Sequence, residues 1–449
     1  MTLLLLQLVS PAQAFCGAYV GDVDSTPKNG ASRIAIARQG EQTTLTMFND
    51  VDGDYESFGL LVPIPEIIGE EDVRRIDREL LDKAASYSAP RLVAYTCEDF
   101  YPLEYEDTGW GSGGSSGSFG CGFGNQSISS DASGAFEDGG TEDTGGVTVW
   151  EEFDLGEYTV YVLSAEGSAG LSGWLDDNGF SVPESTGPVL QEYIDRGDYF
   201  LALRVDLDRA PDDGFLSPLQ FSYASAQWTL PIRLGATSST GLQDLTLFLL
   251  TPPEEGKVGI SNYTEAKLAE DECMVEADDI GEYYEERLEE AMGLPATAGD
   301  LGGRSGLSWV TEYSWTGGSC DPCPTNGPLT PDEAMGFGID AHYGFHFTRL
   351  HLRYTPDAVR EDIALYSTGI VDNDQVRYIQ HIEELESDLP MCDGVVPEFP
   401  GTCFTADWWA ERAQGNVTGD VPMSDRATGC AGALLFLLVP AVLGARRRR

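Results

Sequence analysis

One short run constrains this chain more than any other. Leu245–Leu250 reads LTLFLL, apolar on both faces apart from Thr246. A strand of that pattern needs cover on both sides, so it belongs in the middle of a sheet. Upstream, Trp228, Leu230, Ile232 and Leu234 alternate with Thr229, Pro231 and Arg233, the period of a half-buried strand. The Gly235–Gly241 segment between them is rich in Ser and Thr and reads as a turn. Leu216–Thr251 is therefore expected to place a hairpin at the centre of a sheet.

Around that centre the chain supplies more strands and several helices. Residues 15–108 read as a first lobe, with strands over Ser32–Ala37, Thr43–Phe48 and Phe58–Ile64 and a turn at Arg38-Gln39-Gly40. Glu70–Ala85 carries Val73, Ile76, Leu80, Leu81 and Ala84 at helical spacing, and Pro90 stops it before a strand over Arg91–Tyr95. Residues 109–146 are rich in Gly, Ser and acids. Such a composition buries too little apolar surface to offset ordering, so it reads as a linker or long loop.

Residues 147–391 read as a second lobe. Its expected strands are Val147–Phe153, Tyr158–Ser164, Tyr199–Asp206, Lys257–Asn262, Trp309–Trp315, His346–Tyr354 and Val376–Ile382. Its expected helices are Leu171–Asp177, Val189–Arg196 and Asp279–Met292, the last with Ile280, Tyr284, Leu288 and Ala291 on one stripe. Thr330-Pro331-Asp332-Glu333 is a further helix-start signal. Strands and helices are mixed rather than strictly alternating. The expected class is α+β, with mixed, mainly antiparallel sheets and several helices in two lobes.

Both ends carry addresses. Leu3–Val9 is apolar and Ala12-Gln13-Ala14 is a cleavage signal, so residues 1–14 read as a signal peptide with maturation near Phe15. No positive charge precedes the run, which suggests a start further upstream. Residues 392–429, spaced by Gly and Pro, read as a stalk. Residues 430–449 hold Cys430, the apolar run Ala431–Ala445 and Arg446–Arg449, and read as a tail anchor. The run is short of the ~20 residues of a full span, and the arginines would stay on the cytoplasmic side. Together these features resemble bacterial C-terminal sorting tails. The expectation is an exported protein of the cell envelope or surface, partnered with the membrane through its tail.

Charge and cysteine content agree with that address. There are 75 acidic residues against 26 basic ones, a net charge of −49. This repels phosphate, so no nucleic-acid partner is expected. A solvated surface is the plain reading, with divalent cations or another surface component as further candidate partners. Nine cysteines suit an oxidising compartment. The expected disulfide residues are Cys16 with Cys97, Cys392 with Cys403, and Cys320 with Cys323.

Cys320-Asp321-Pro322-Cys323 is the sharpest local chemical signal. A C-x-x-C pair can exchange disulfides when one thiolate sits at a helix start. Here Pro324 and Thr325-Asn326-Gly327-Pro328 follow, so no helix begins at the motif and a structural clasp is favoured. With His342 and His346 the pair would supply four zinc ligands, though the spacing is long and the histidines fall where a strand begins. His351, between Leu350 and Leu352, reads as a core or rim histidine. Asp50-Val51-Asp52-Gly53-Asp54 fits a polar hairpin turn better than a calcium loop. Neither H-E-x-x-H nor a P-loop is present. No catalytic residue, metal ligand or cofactor is assigned. The expected function is a non-enzymatic binding or structural module. The alternative is an extracytoplasmic thiol–disulfide oxidoreductase or metal-binding protein using Cys320 and Cys323.

Several short stretches occur together in order. They include Phe15-Cys16-Gly17, Val62-Pro63-Ile64-Pro65, Ser88-Ala89-Pro90-Arg91-Leu92-Val93 and Gly156-Glu157-Tyr158. Further along come Trp174-Leu175, Leu230-Pro231-Ile232-Arg233-Leu234-Gly235, Cys320-Asp321-Pro322-Cys323 and Arg349-Leu350-His351-Leu352-Arg353-Tyr354. In these the chain resembles the bacterial domain of unknown function 2330 family, from about Phe15 to His381. It departs in the Gly/Ser-rich insert and the acidic Glu265–Glu290 region. The resemblance implies export and membrane association, and brings no catalytic residue with it.

Overall fold

The computed structural model describes residues 18–20, 28–52, 57–95, 145–180, 182–209, 216–268, 273–295, 301–317, 320, 323–324, 327–383 and 391. The chain divides into two units. The first takes residues 1–91, 136–269 and 279–377, and the second takes 92–135, 270–278 and 378–449. The expected signal peptide, stalk and tail anchor lie outside the described residues, as do Cys16, Cys97, Cys392 and Cys403 and nearly all of the linker.

Ten longer strands carry the first unit: β1 (Lys28–Gln39), β2 (Gln42–Asp52), β3 (Ser57–Ile64), β4 (Val147–Leu155), β5 (Tyr158–Ala165), β6 (Tyr199–Asp206), β7 (Leu219–Ala224), β8 (Gln243–Thr251), β9 (Leu307–Thr316) and β10 (His346–Tyr354). Among the described residues six helices accompany them: α1 (Arg78–Ser88), α2 (Ser168–Asp177), α3 (Gly187–Arg196), α4 (Arg233–Ser238), α5 (Ile280–Met292) and α6 (Pro331–Gly336).

The larger sheet has nine strands. Its longer members run in the order β9, β10, β8, β1, β2, β7. As its pattern demands, β8 is central. It pairs antiparallel with β10 (Leu247 opposite Leu350) and parallel with β1 (Leu247 opposite Ile34). β1 and β2 form a hairpin whose turn needs the positive φ of Gly40, 62°. The smaller sheet has five strands, in the order Ala18–Val20, β3, β6, β5, β4. Strands from before residue 93 and after residue 147 thus share both sheets. The sequence boundaries at 108 and 147 do not separate sheets, and the structure confirms an α+β fold with mainly antiparallel pairing.

Strand alternation builds four layers. In β3, Leu60, Val62 and Ile64 face the larger sheet, and Leu61 faces away. β6 does the same with Leu201, Leu203 and Val205 inward and Phe200 and Ala202 outward. From the larger sheet, Leu245, Leu247, Leu249, Leu350 and Leu352 complete the core between the sheets. The outer face of the smaller sheet packs Leu171, Trp174 and Leu175 of α2 and Leu190 and Tyr193 of α3. The outer face of the larger sheet packs Leu81, Ala84 and Tyr87 of α1 and Ala334 of α6.

The expected hairpin is corrected. Only Thr229–Leu230 is extended, pairing with Ile363–Ser367, and Arg233–Ser238 is the helix α4. Leu230 and Ile232 enter the core between the sheets, whereas Leu234 enters the core beneath α2 and α3. The alternation comes from a segment crossing between layers, not from a strand lying in one. The helix expected over Glu70–Ala85 is likewise broken. Glu70–Asp72 is a single 3₁₀ turn, Val73–Arg75 pairs with β7, and α1 starts only at Arg78.

The helix-start signal at Thr330 is realised as a reciprocal cap. Thr330 Oγ1 accepts from Glu333 N at 3.3 Å, and Glu333 Oε2 accepts from Thr330 N at 2.7 Å. Glu333 also pairs with Lys83 of α1 at 2.7 Å. Thr330→Ala is expected to cost about 1 kcal/mol, read from the denaturant midpoint at unchanged slope.

In the second unit, Met274–Val275 pairs in parallel with Ile379–Gln380. Cys273, just before, is disulfide-bonded.

Candidate functional site

Charged side chains gather on the helix-covered face of the larger sheet. On β10, Arg349, His351 and Arg353 share one face because side chains two apart do. Asp244 of β8 sits beside them, since the register places it opposite Arg353. Glu312 reaches the same face through a bulge. Val310 pairs with His351 and Thr311 with Leu350, but Tyr313 pairs with Arg349, leaving Glu312 as the extra residue. A bulge re-aims a side chain in this way, and here it sends Glu312 inward beside Tyr313. Helix α5, capped by Asp279 through Gly281 N at 2.8 Å, brings Tyr284 and Glu285 over the cluster.

The contacts close on themselves. His351 Nδ1 lies 2.9 Å from Glu312 Oε1, and Nε2 lies 2.8 Å from Asp244 Oδ1. Arg353 Nε bonds Asp244 at 2.8 Å, and its Nη1 pairs with Glu285. Arg349 Nε pairs with Glu312, and Tyr284 donates to Glu312 at 2.6 Å. Three carboxylates meet three cations. Burial opposes charge on the His351 ring, but Glu312 and Asp244 outweigh it and raise its pKa to about 9. Burial likewise opposes charge on Glu312, yet Arg349 and His351 bring its pKa down to about 2. Asp244 is also lowered, by His351 and Arg353 against burial. An imidazolium donating from both nitrogens has no lone pair for a substrate proton, so the cluster acts as an electrostatic clamp of α5 on the sheet.

His346 is the opposite case. Five residues from His351, it faces the other side of the sheet. Ser314 Oγ lies 2.8 Å from Nε2 and Thr316 Oγ1 2.8 Å from Nδ1. It is fully buried, and burial lowers its pKa to about 4. The two histidines give stability opposite pH slopes about an unfolded pKa near 6.5. The His351 contribution is complete below about 6.5 and is lost as pH rises through about 9. The His346 contribution is complete above about 6.5 and is lost as pH falls through about 4. Unfolding free energy is therefore expected to peak near neutral pH. His351→Gln should flatten the alkaline limb, and His346→Gln the upper part of the acid limb. Denaturant melts across pH check both slopes.

The cysteine pair expected as a clasp lies at the edge of the core. Cys320 and Cys323 form a disulfide with Cα atoms 4.9 Å apart. Cys320 packs against the buried cluster that includes Phe347 and Tyr313, and Cys323 is exposed. The zinc set is not assembled. The thiols are joined to each other, both His346 nitrogens are engaged by hydroxyls, and His342 is on the surface. Among the described residues no group of three or more His, Cys, Asp or Glu could hold a metal ion. Of the calcium candidate, Gly53 and Asp54 lie outside the described residues.

A shallow pocket opens where Pro63 and Pro65 at the end of β3 approach Arg196 and Asp198 ahead of β6, with Tyr223 and Pro231 as further walls. Arg196 pairs with Asp198 at 2.6 Å and with buried Asp362 at 3.3 Å. Asp362 also accepts from Tyr193 at 2.7 Å. Burial raises the Asp198 pKa against the pull of Arg196. Two stretches read from the sequence, Val62–Pro65 and Leu230–Gly235, thus converge in space.

Sequence reasoning placed His351 correctly in a strand but missed its partners. The signal was present: Arg349, His351 and Arg353 recur at period two in a chain with only 26 basic residues. Cations on one face of an otherwise apolar strand call for buried carboxylates.

A family model described as an uncharacterized protein conserved in bacteria (DUF2330) matches residues 10–366. The chain belongs to this family. The match takes in all ten longer strands of the two sheets, the charged clamp and the Cys320–Cys323 pair of this family member. No curated protein matches it. A crystal structure of baculovirus P35 is similar over 76% of this chain and 95% of that chain, at 13% identity and a TM-score of 0.27, and so weak a likeness carries no argument. Among the described residues, no helix is long and apolar enough to cross a membrane.

Proposed function

We propose that this family member is an exported, membrane- or surface-anchored protein whose folded body is a non-enzymatic binding or structural module. The observation that carries the non-enzymatic reading is the clamp. The group with the residue types of an acid–base site spends each of its charges on a partner within the fold. The apolar run with Ala12-Gln13-Ala14 at one end, and Ala431–Ala445 with Arg446–Arg449 at the other, support the address. The disulfides at Cys273 and at Cys320–Cys323 suit an oxidising compartment.

Fractionation of the source bacterium with thiol trapping tests the reading. The expected result is chain in the envelope fraction, shaved by protease from intact cells or spheroplasts, with Cys273, Cys320 and Cys323 blocked to alkylation. Full-length chain in the cytosol with reduced thiols would overturn it.

A second reading, thiol–disulfide exchange, is favoured by the exposure of Cys323 alone. Equilibration against glutathione separates the two. A clasp stays closed until potentials below about −300 mV, whereas an oxidoreductase opens between about −120 and −270 mV.

A further inference from the structure

Among the described residues, four large apolar side chains of the first unit stand exposed. They are Tyr343 (94% exposed), Tyr366 (45%), Ile370 (48%) and Val371 (51%). They come from distant parts of the sequence, and contacts of their segments tie them to one turn at the end of β8. In that turn Glu255 N bonds Pro252 O at 3.0 Å. On one side, Gly344 packs on Pro253, bringing Tyr343 alongside. On the other, Ile370 O accepts from Lys257 N at 2.6 Å, so closely over Gly256 that a Cβ there would lie 2.1 Å from that oxygen. Tyr366 lies across Gly259. A second route closes the ring: Thr316 N donates to Asn373 Oδ1 at 3.0 Å, and Gly317 N donates to Phe345 O at 2.8 Å. Val371 and Tyr343 each stand two residues from these anchors.

The rim of the patch is acidic. Glu254 lies in the turn itself, Asp372 adjoins Val371, Asp374 follows Asn373 and Asp340 precedes Tyr343 by three residues, and all four are exposed. Lys257, a cation beside the turn, is paired with Glu265 at 3.2 Å. An apolar centre with a rim of charge is the anatomy of a protein interface, and a tyrosine at the centre is a common anchor. The single sign of the rim selects the partner. It disfavours anionic lipid and a second copy of so acidic a chain, and it favours cations.

We propose that this end of the larger sheet docks a protein whose contact surface has an apolar centre ringed by lysine and arginine. The inference deepens the binding-module reading and rests on it. A cytosolic location would sink the address and leave this surface standing.

The test places a photoreactive benzophenone side chain at position 343 or 370 of the full chain in the source bacterium, with exposed Gln227 as the control position. The expected result is a protein adduct at 343 and 370 but not at 227, with the cross-linked peptide, sequenced by mass spectrometry, carrying apolar and basic residues. Glu254→Lys with Asp372→Lys should reduce that adduct about tenfold or more, since like charges across an interface cost several kcal/mol. The double variant's melting temperature, measured on purified protein, should match that of the unaltered chain because both sites are exposed. Adducts on lipid, adducts on peptides without basic residues, equal yield at 227, or no adduct at 343 and 370 would each overturn the proposal.

Discussion

Glu312→Ala is expected to destabilise the protein by about 3–5 kcal/mol, the cost of leaving buried partners without their counter-charge. Glu312 is fully buried and serves three groups, Arg349, His351 and Tyr284. Removing it takes the counter-charge from the Arg349 guanidinium and one of two counter-charges from the His351 imidazolium. His351 would then lose one of the two carboxylates that keep it charged, so its pKa should fall from about 9. Glu312→Gln keeps the shape but not the charge and should fall between the two. Equilibrium unfolding in urea measures the loss, and NMR titration of His351 measures the pKa. A variant that melts like the parent with His351 unmoved would show that the clamp holds nothing. The coupling is local, so Glu312→Ala with Arg349→Met should recover part of the loss by removing one stranded charge.

How much of this was legible in the sequence depends on what each segment answers to. β10 and β6 could be read because their alternation matches a sheet with one core on each side. Both ends of α5 could be read because Asp279 and Gly293 are local signals that need no distant partner. The α6 start at Thr330 was legible for the same reason. The Trp228–Leu234 segment was misread because its burial is set by two different cores that only the folded chain defines. The α1 region was misread because Val73 answers to β7, about 145 residues away in sequence, rather than to its neighbours. The clamp was half legible. Its cations show as a row on one strand, while Asp244 and Glu312 come from other strands, and one of them is aimed by a bulge that no short pattern announces.

The second large effect lies on the same face, in the aromatic knot around Phe347. Its ring centroid is 5.1 Å from that of Tyr87, 5.8 Å from Tyr313 and 6.0 Å from Phe248. These three come from α1, β9 and β8, so one side chain joins the helix layer to two strands. Phe347→Ala is expected to cost about 3–5 kcal/mol, since two of its three walls are strand residues held by their ladders and cannot collapse into the space. Phe347→Leu fills most of the volume and should cost less, its remaining cost reporting ring-to-ring geometry at about 0.5–1.5 kcal/mol per pair. Tyr87 supplies the internal control. Its hydroxyl is buried without a hydrogen-bond partner among the described residues, and burial pushes its pKa well up. Tyr87→Phe deletes that orphaned group and keeps the ring, so it should be neutral or stabilising. Denaturant melts of the three variants decide the matter. If Tyr87→Phe proved as damaging as Phe347→Ala, the knot would owe its stability to the hydroxyl, and packing of the rings would no longer explain how the helix layer is held.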